Sequence, residues 1–163
     1  MINTNLQNEL LKINNEWKSN SRIYGEVIEL WVENNVPCKC GGKLINQPAN
    51  QKSIDCICEK CLKNIQIKSS SKPFKVNRDE KLRILGAEYM TTLNSINKNE
   101  NWDLMLVHYD KELNEVEGLK IIESQYISAK NVIPRKPLGP NARRAGWQGC
   151  YLEFHSEVIT KIL

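Results

Sequence analysis

No apolar run in the chain reaches the length of about 18 to 20 residues that a membrane-spanning helix needs. The start, Met1-Ile2-Asn3-Thr4-Asn5, lacks both the basic residue and the apolar stretch of an export signal. These absences set the expectation of a cytoplasmic protein with no membrane partner. Internal repeats and low-complexity tracts are also missing, so a solenoid or repeat array is excluded. The absence with most chemical content is local: from Ser124 to Leu152 there is no acidic residue, while Lys130, Arg135, Lys136, Arg143 and Arg144 all fall in that window. A formal net charge of +4 says little alone. Its concentration in one segment points to an anionic partner.

The chain has 163 residues, 40% of them hydrophobic, which suits one domain with a single core, residues 1–163. Leu6, Leu10, Ile13 and Trp17 fall on one helical face, and Ser19, Asn20 and Ser21 interrupt with a capping residue. Ile23, Val27, Leu30 and Trp31 repeat the pattern up to Asn34 and Asn35, and both stripes read as apolar faces on a core. Residues 37–48 have turn composition. Residues 53–57 and 64–68 read as short strands, 79–97 as a third helix with Leu82, Leu85, Tyr89 and Leu93 on one face, and 102–109 and 116–122 as neighbouring strands across a polar turn. Residues 131–140 read as proline-rich loop and 150–154 as the last strand. This order predicts an α/β fold, a mixed central sheet flanked by helices.

Six cysteines are present, and four form two short pairs, Cys38-x-Cys40 and Cys58-x2-Cys61. In a chain without an export signal these spacings favour metal over disulfides. Structural zinc takes four soft ligands in two pairs, each on a tight turn, and Gly41-Gly42 lets the first turn close. The expectation is a four-cysteine zinc site embedded at residues 38–61. Cys56 and Cys150 read as small packed thiols.

Between and after these pairs stand Asp55 and then Gln66-Ile67-Lys68. Hydrolysing a phosphodiester needs a divalent ion held by oxygen ligands, an activated water and positive charge near the developing phosphorane. Asp55 can supply a carboxylate, Gln66 a neutral amide oxygen and Ile67 its backbone carbonyl to Mg2+, while Lys68 positions water or stabilises charge. Strand alternation puts Gln66 and Lys68 on one face, opposite Ile65 and Ile67. This is the spacing logic of PD-(D/E)XK nucleases. Glu29, on the second helix, is a further acid available near the metal. By spacing alone, a solvent-facing strand end is the competing reading.

The segment IPRKPLGPNARRAGWQGC, residues 133–150, closely resembles the corresponding stretch of the DpnI-type restriction endonucleases, which cut GATC when its adenine is N6-methylated. The likeness extends to Trp17-Lys18-Ser19-Asn20-Ser21, to Trp31-Val32, to the cysteine pairs and to the Asp55-to-Lys68 spacing, and so spans nearly the whole chain. The resemblance implies a PD-(D/E)XK nuclease fold with a zinc-bound insertion and a type II, methyladenine-dependent endodeoxyribonuclease. It implies catalytic residues at Asp55, Gln66 and Lys68, with Gln66 where the family has glutamate. It also implies zinc on Cys38, Cys40, Cys58 and Cys61, and Trp147 as a sensor of methyl groups. Arg135, Lys136, Arg143 and Arg144 fall in a DNA-facing loop. The family's C-terminal winged-helix domain has no counterpart before Leu163, so the expectation is a single catalytic domain acting as a monomer or weak homodimer on double-stranded, adenine-methylated DNA. Read from the residues alone, Trp147 could equally be core, and Arg143 and Arg144 a solvated pair. A non-catalytic methyl-DNA reader and a zinc-stapled protein-interaction module remain the alternative functions.

Overall fold

A computed structural model describes residues 1–13, 21–48, 54–100 and 102–163. Trp17, Lys18, Ser19, Asn20 and Ser53 lie outside the described residues. In chain order the elements are α1 (Gln7–Lys12), α2 (Ser21–Asn35), β1 (Leu44–Asn46), β2 (Cys56–Cys58), β3 (Asn64–Ser70), β4 (Lys81–Glu88), α3 (Tyr89–Asn97), β5 (Asp103–Asp110), β6 (Glu115–Ile122), β7 (Val132–Pro134), β8 (Gly149–His155) and β9 (Thr160–Lys161). Among the described residues, no helix is long and apolar enough to cross a membrane. The architecture is mixed α/β, and it divides into two compact units.

The first unit comprises Met1–Phe74, Trp102–Ile121 and Thr160–Leu163. Its mixed six-stranded sheet has the order β1-β2-β3-β5-β6-β9. β1, β2 and β3 form an antiparallel meander, whereas β3 runs parallel to β5, with Ile67 opposite Met105 and Lys68 opposite Leu106. α2 covers one face. Its Ile23, Val27, Ile28, Trp31 and Val32 recur at helical spacing and pack with Leu44, Cys56, Ile65, Ile67, Met105 and Val107. The Trp31 indole N–H donates to the Asn3 carbonyl at 2.8 Å, so the largest core side chain keeps its polar atom satisfied. Strand alternation turns Leu104 and Leu106 to the other face, where both are also buried.

The second unit comprises Lys75–Asn101 and Ile122–Ile159. It holds an antiparallel three-stranded sheet, order β4-β8-β7, together with α3. Leu82, Ile84, Leu152 and Phe154 are buried, and Lys81, Arg83 and Leu85 alternate with them to the outside.

The structure departs from the sequence pattern in five places. Residues 79–97 are a strand followed by a helix, because Leu82 and Ile84 repeat with period two and Leu85 is 57% exposed. The helix starts only after Glu88, whose carboxylate accepts from the Thr91 amide at 2.8 Å and caps it. α1 ends at Lys12, since Ile13 is already extended. Within the turn-rich residues 37–48, Leu44–Asn46 pair with Cys56–Cys58 as β1, and within 131–140 Val132–Pro134 pair with β8 as β7. β8 is followed by a further short strand, β9, which closes the edge of the six-stranded sheet on β6.

Candidate active site and metal centre

The meander β1-β2-β3 carries both candidate sites, one at each end of β2. At one end the turn after α2 brings Cys38 and Cys40 to the hairpin that holds Cys58 and Cys61. All four Sγ atoms lie within 4.8 Å of one another. Cys38 Sγ is 3.6 Å from Cys61 Sγ, and Cys40 Sγ is 3.4 Å from Cys58 Sγ. A disulfide would bring sulfurs to about 2.05 Å. Tetrahedral zinc with four thiolates, at bonds of about 2.3 Å, spaces the sulfurs by about 3.8 Å. The donor set therefore fits a metal ion such as zinc. The backbone supplies the tight turns: Gly41 N–H donates to the Cys38 carbonyl at 2.8 Å, and Leu62 N–H to the Cys58 carbonyl at 3.0 Å. Gly41 (φ 79°) and Leu62 (φ 60°) occupy the left-handed region. Gly42 is needed for another reason, since a Cβ there would come within 2.7 Å of Cys58 Sγ.

The thiols are electrostatically unequal. Backbone N–H groups of Cys61 and Lys60 aim at the Cys58 sulfur, the Cys61 one counting most, and bring its pKa down to about 6 against the effect of burial. Burial pushes the Cys38 thiol up to about 12. One thiolate is thus favoured at Cys58, and a dication bound by the four sulfurs would lower all of them. Cys56, fully buried among core residues, and Cys150, buried in the second unit, stand apart from this cluster.

At the other end of β2 sits Asp55. Its amide donates to the Ile65 carbonyl at 2.9 Å, and its Oδ2 accepts the Ile67 amide at 2.6 Å. The carboxylate is therefore pinned to β3 at the residue between Gln66 and Lys68. Burial pushes the Asp55 carboxyl up, against the Ile67 hydrogen bond and the Lys68 charge, which lower it. Gln66 is 5% exposed. Its amide oxygen is a neutral acceptor of the kind a hard cation takes.

Glu29 of α2 joins this group. Burial first, then the charges of Asp55 and Glu26, push its pKa up to about 7, with Lys68 opposing. Two half-buried carboxyls, one raising the pKa of the other, beside a lysine are a donor set that a hard dication would relieve. Sequence reading named Glu29 only as an additional acid. Its helical register offered no way to see that the charges of Asp55 and Lys68 act on it.

The basic segment belongs to the second unit and extends the β7–β8 hairpin. Arg135 N–H donates to the Gly149 carbonyl at 2.9 Å, Leu138 N–H to Trp147 at 2.9 Å and Gly146 N–H to Leu138 at 2.9 Å. The loop is thus internally braced rather than open. Lys136, Arg143 and Arg144 are exposed, and Trp147 is only half-buried, so it is not a core tryptophan. The Arg144 guanidinium lies 4.5 Å from the indole centroid. A Cβ on Gly149 would meet the Trp147 ring at 3.0 Å, so this glycine lets the indole lie against β8.

Comparison with protein-family models matches residues 2–159 to the family described as DpnI: Dam-replacing family.

Proposed function

The chain belongs to the DpnI, or Dam-replacing, family, and from that premise we propose that it is a Mg2+-dependent endonuclease that hydrolyses DNA at GATC sites carrying N6-methyladenine. The family places it among restriction-type proteins. The substrate, the metal and the chemistry are our reading, which assigns the first unit to a PD-(D/E)XK centre. The observation that carries it is the pinning of Asp55 Oδ2 on the Ile67 amide at 2.6 Å, with Lys68 and Glu29 coupled to the same carboxylate.

In this reading Asp55, the Gln66 amide oxygen and the Ile67 carbonyl hold Mg2+, with Glu29 beside them. When bound, the ion supplies Lewis-acid polarisation of the scissile phosphate and lowers the pKa of a bound water. Lys68 holds the water or steadies charge on the phosphorane oxygens. The Ile67 N–H fixes the Asp55 rotamer, so the carboxylate needs no reorganisation during the reaction. Cys38, Cys40, Cys58 and Cys61 hold Zn2+ and staple the far end of the same meander. Arg135, Lys136, Arg143 and Arg144 meet DNA, and the Trp147 indole gives the N6-methyl groups an apolar wall in the major groove.

The neutral amide at Gln66 favours one second reading, a methyl-DNA reader whose hydrolytic centre is silent. A duplex with one methylated GATC site separates the two. A nuclease cuts it with Mg2+, and Lys68→Ala abolishes cutting while retaining binding. Wild-type protein that binds the methylated duplex without ever cutting it would leave only the reader.

A further inference from the structure

The outer face of the three-stranded sheet carries a ladder of cations and rings that begins at Arg144, Trp147 and Arg135 of the DNA-directed loop and runs on to Tyr151, Arg83 and Lys81, which the proposed roles leave unused. Strand register sets Leu85, Tyr151 and Ile133 side by side across β4, β8 and β7. The Arg83 guanidinium lies 5.3 Å from the Tyr151 ring centroid and that of Arg135 lies 5.4 Å from it. Beyond Arg135 the bare Gly149 admits the Trp147 ring, and Arg144 lies 4.5 Å from that ring. The order along the face is therefore Arg144, Trp147, Arg135, Tyr151, Arg83. Leu85 is 57% exposed and the Arg83 side chain 51%, so the strip faces solvent. Lys81 adds another cation at its end. Among these cations stands Glu153, held by Arg83 at 2.7 Å and Lys81 at 3.4 Å, and at the Lys81 end His155 lies 3.8 Å from Glu80 and 3.9 Å from Glu157.

We propose that this strip, from Arg144 through Tyr151 to Arg83, is a track for the phosphodiester backbone of duplex DNA, continuous with the methyl-sensing loop. The assignment rests on the DNA-directed reading above. A guanidinium stacked on a ring has its side-chain entropy already spent, and Arg83, whose Nε–H and Nη2–H both donate to Glu153 Oε2 at 3.0 and 2.7 Å, exchanges that carboxylate for phosphate. Such groups accept phosphate bidentately without further ordering. From Arg144 to Arg83 three arginines stand against Glu153, which gives that stretch the sign a polyanion requires, while Glu80 and Glu157 by His155 bound it at the Lys81 end. Phosphate fits better than a stacked, unpaired base, because the arginines already lie against the rings. The strip therefore contributes affinity without sequence or methyl readout.

The test is equilibrium binding of fluorescent duplexes, with and without N6-methyladenine in one GATC, in Ca2+ and across a salt series. Arg83→Ala should weaken both duplexes alike, by roughly fivefold, and lower the salt slope by about one. Glu153→Gln should strengthen both, a gain that a merely structural role for this pair cannot produce. Unchanged binding in both variants overturns the track, and so does a loss confined to the methylated duplex, which would mean base readout. Wild-type protein that binds neither duplex refutes the DNA-directed reading itself and the track with it, a result visible before any variant is made.

Discussion

Asp55 Oδ2 accepts the Ile67 amide hydrogen bond at 2.6 Å. This contact joins the turn before β2 to the middle of β3 and sets one carboxylate between Gln66 and Lys68 in the chain. Burial raises its pKa, the Ile67 hydrogen bond and the Lys68 charge oppose that, and its own charge raises Glu29.

The first consequence is a pH dependence of stability. Glu29 titrates near 7 in the folded protein, against an ordinary value of 4.5. Between those values the folded state keeps a proton that the unfolded chain has released. The stabilisation is full below about pH 4.5 and is lost as pH rises through 7. Asp55, also raised, acts in the same sense. Glu153, lowered by its hydrogen bond to Arg83, acts oppositely, but only at acid pH. Thermal melts between pH 5 and 8 without added Mg2+ should therefore show falling Tm, and Glu29→Gln should flatten the slope. Added Mg2+ should stabilise more at pH 8 than at pH 5. A slope that Glu29→Gln leaves untouched would contradict the placement of this acid.

Gln66 gives the second prediction. A carboxylate in its place adds a unit charge to the ligand set, and at about 4 Å in an environment of effective dielectric near 20 such a charge is worth up to about 4 kcal/mol before desolvation. Gln66→Glu should thus lower the Mg2+ concentration for half-maximal cleavage by at least about tenfold, since each 1.4 kcal/mol is tenfold in affinity. A titration of cleavage rate against Mg2+ reads this directly. No change would mean that position 66 does not touch the metal.

The thiolate cluster makes a prediction about folding. Removing zinc with a chelator, or replacing Cys58 with serine, should cost several kcal/mol, because structural zinc binding of about 10–16 kcal/mol is largely folding energy. Gly42→Ala should weaken the site through the 2.7 Å approach of its Cβ to Cys58 Sγ. Metal content by mass spectrometry and melting curves check both. Full stability after zinc removal would show the cluster to be dispensable.

Methyl discrimination should fail in Trp147→Ala. One methyl against an apolar wall is worth about 1 kcal/mol, roughly fivefold in Kd, and two methyls roughly 25-fold. The variant should bind methylated and unmethylated duplexes with nearly equal affinity. Arg144→Ala, which uncovers the indole, should weaken both without abolishing the ratio. Retained discrimination in Trp147→Ala would move the sensor elsewhere.

Much of the scaffold was legible in the chain because its signals are periodic or paired. α2 announced itself through Ile23, Val27 and Trp31, and the four thiols by two short spacings. Gln66 and Lys68 could be put on one face of β3 from alternation alone. What escaped was local ambiguity and long-range register. Leu82, Leu85 and Tyr89 match a helical spacing as well as Leu82 and Ile84 match a strand, and only the pairing of β4 with β8 decides between them. β1 is three residues long, too short to show a period against the glycines beside it. Glu29 feels the Asp55 charge through a helix packed across a sheet, a relation no spacing encodes.

The most direct measurement is digestion of one plasmid prepared from adenine-methylating and non-methylating hosts, with purified protein and Mg2+. The account predicts fragments at GATC sites from the methylated plasmid alone, and none with Asp55→Ala or Lys68→Ala. Intact methylated plasmid under every metal condition, or equal cutting of both preparations, would contradict it.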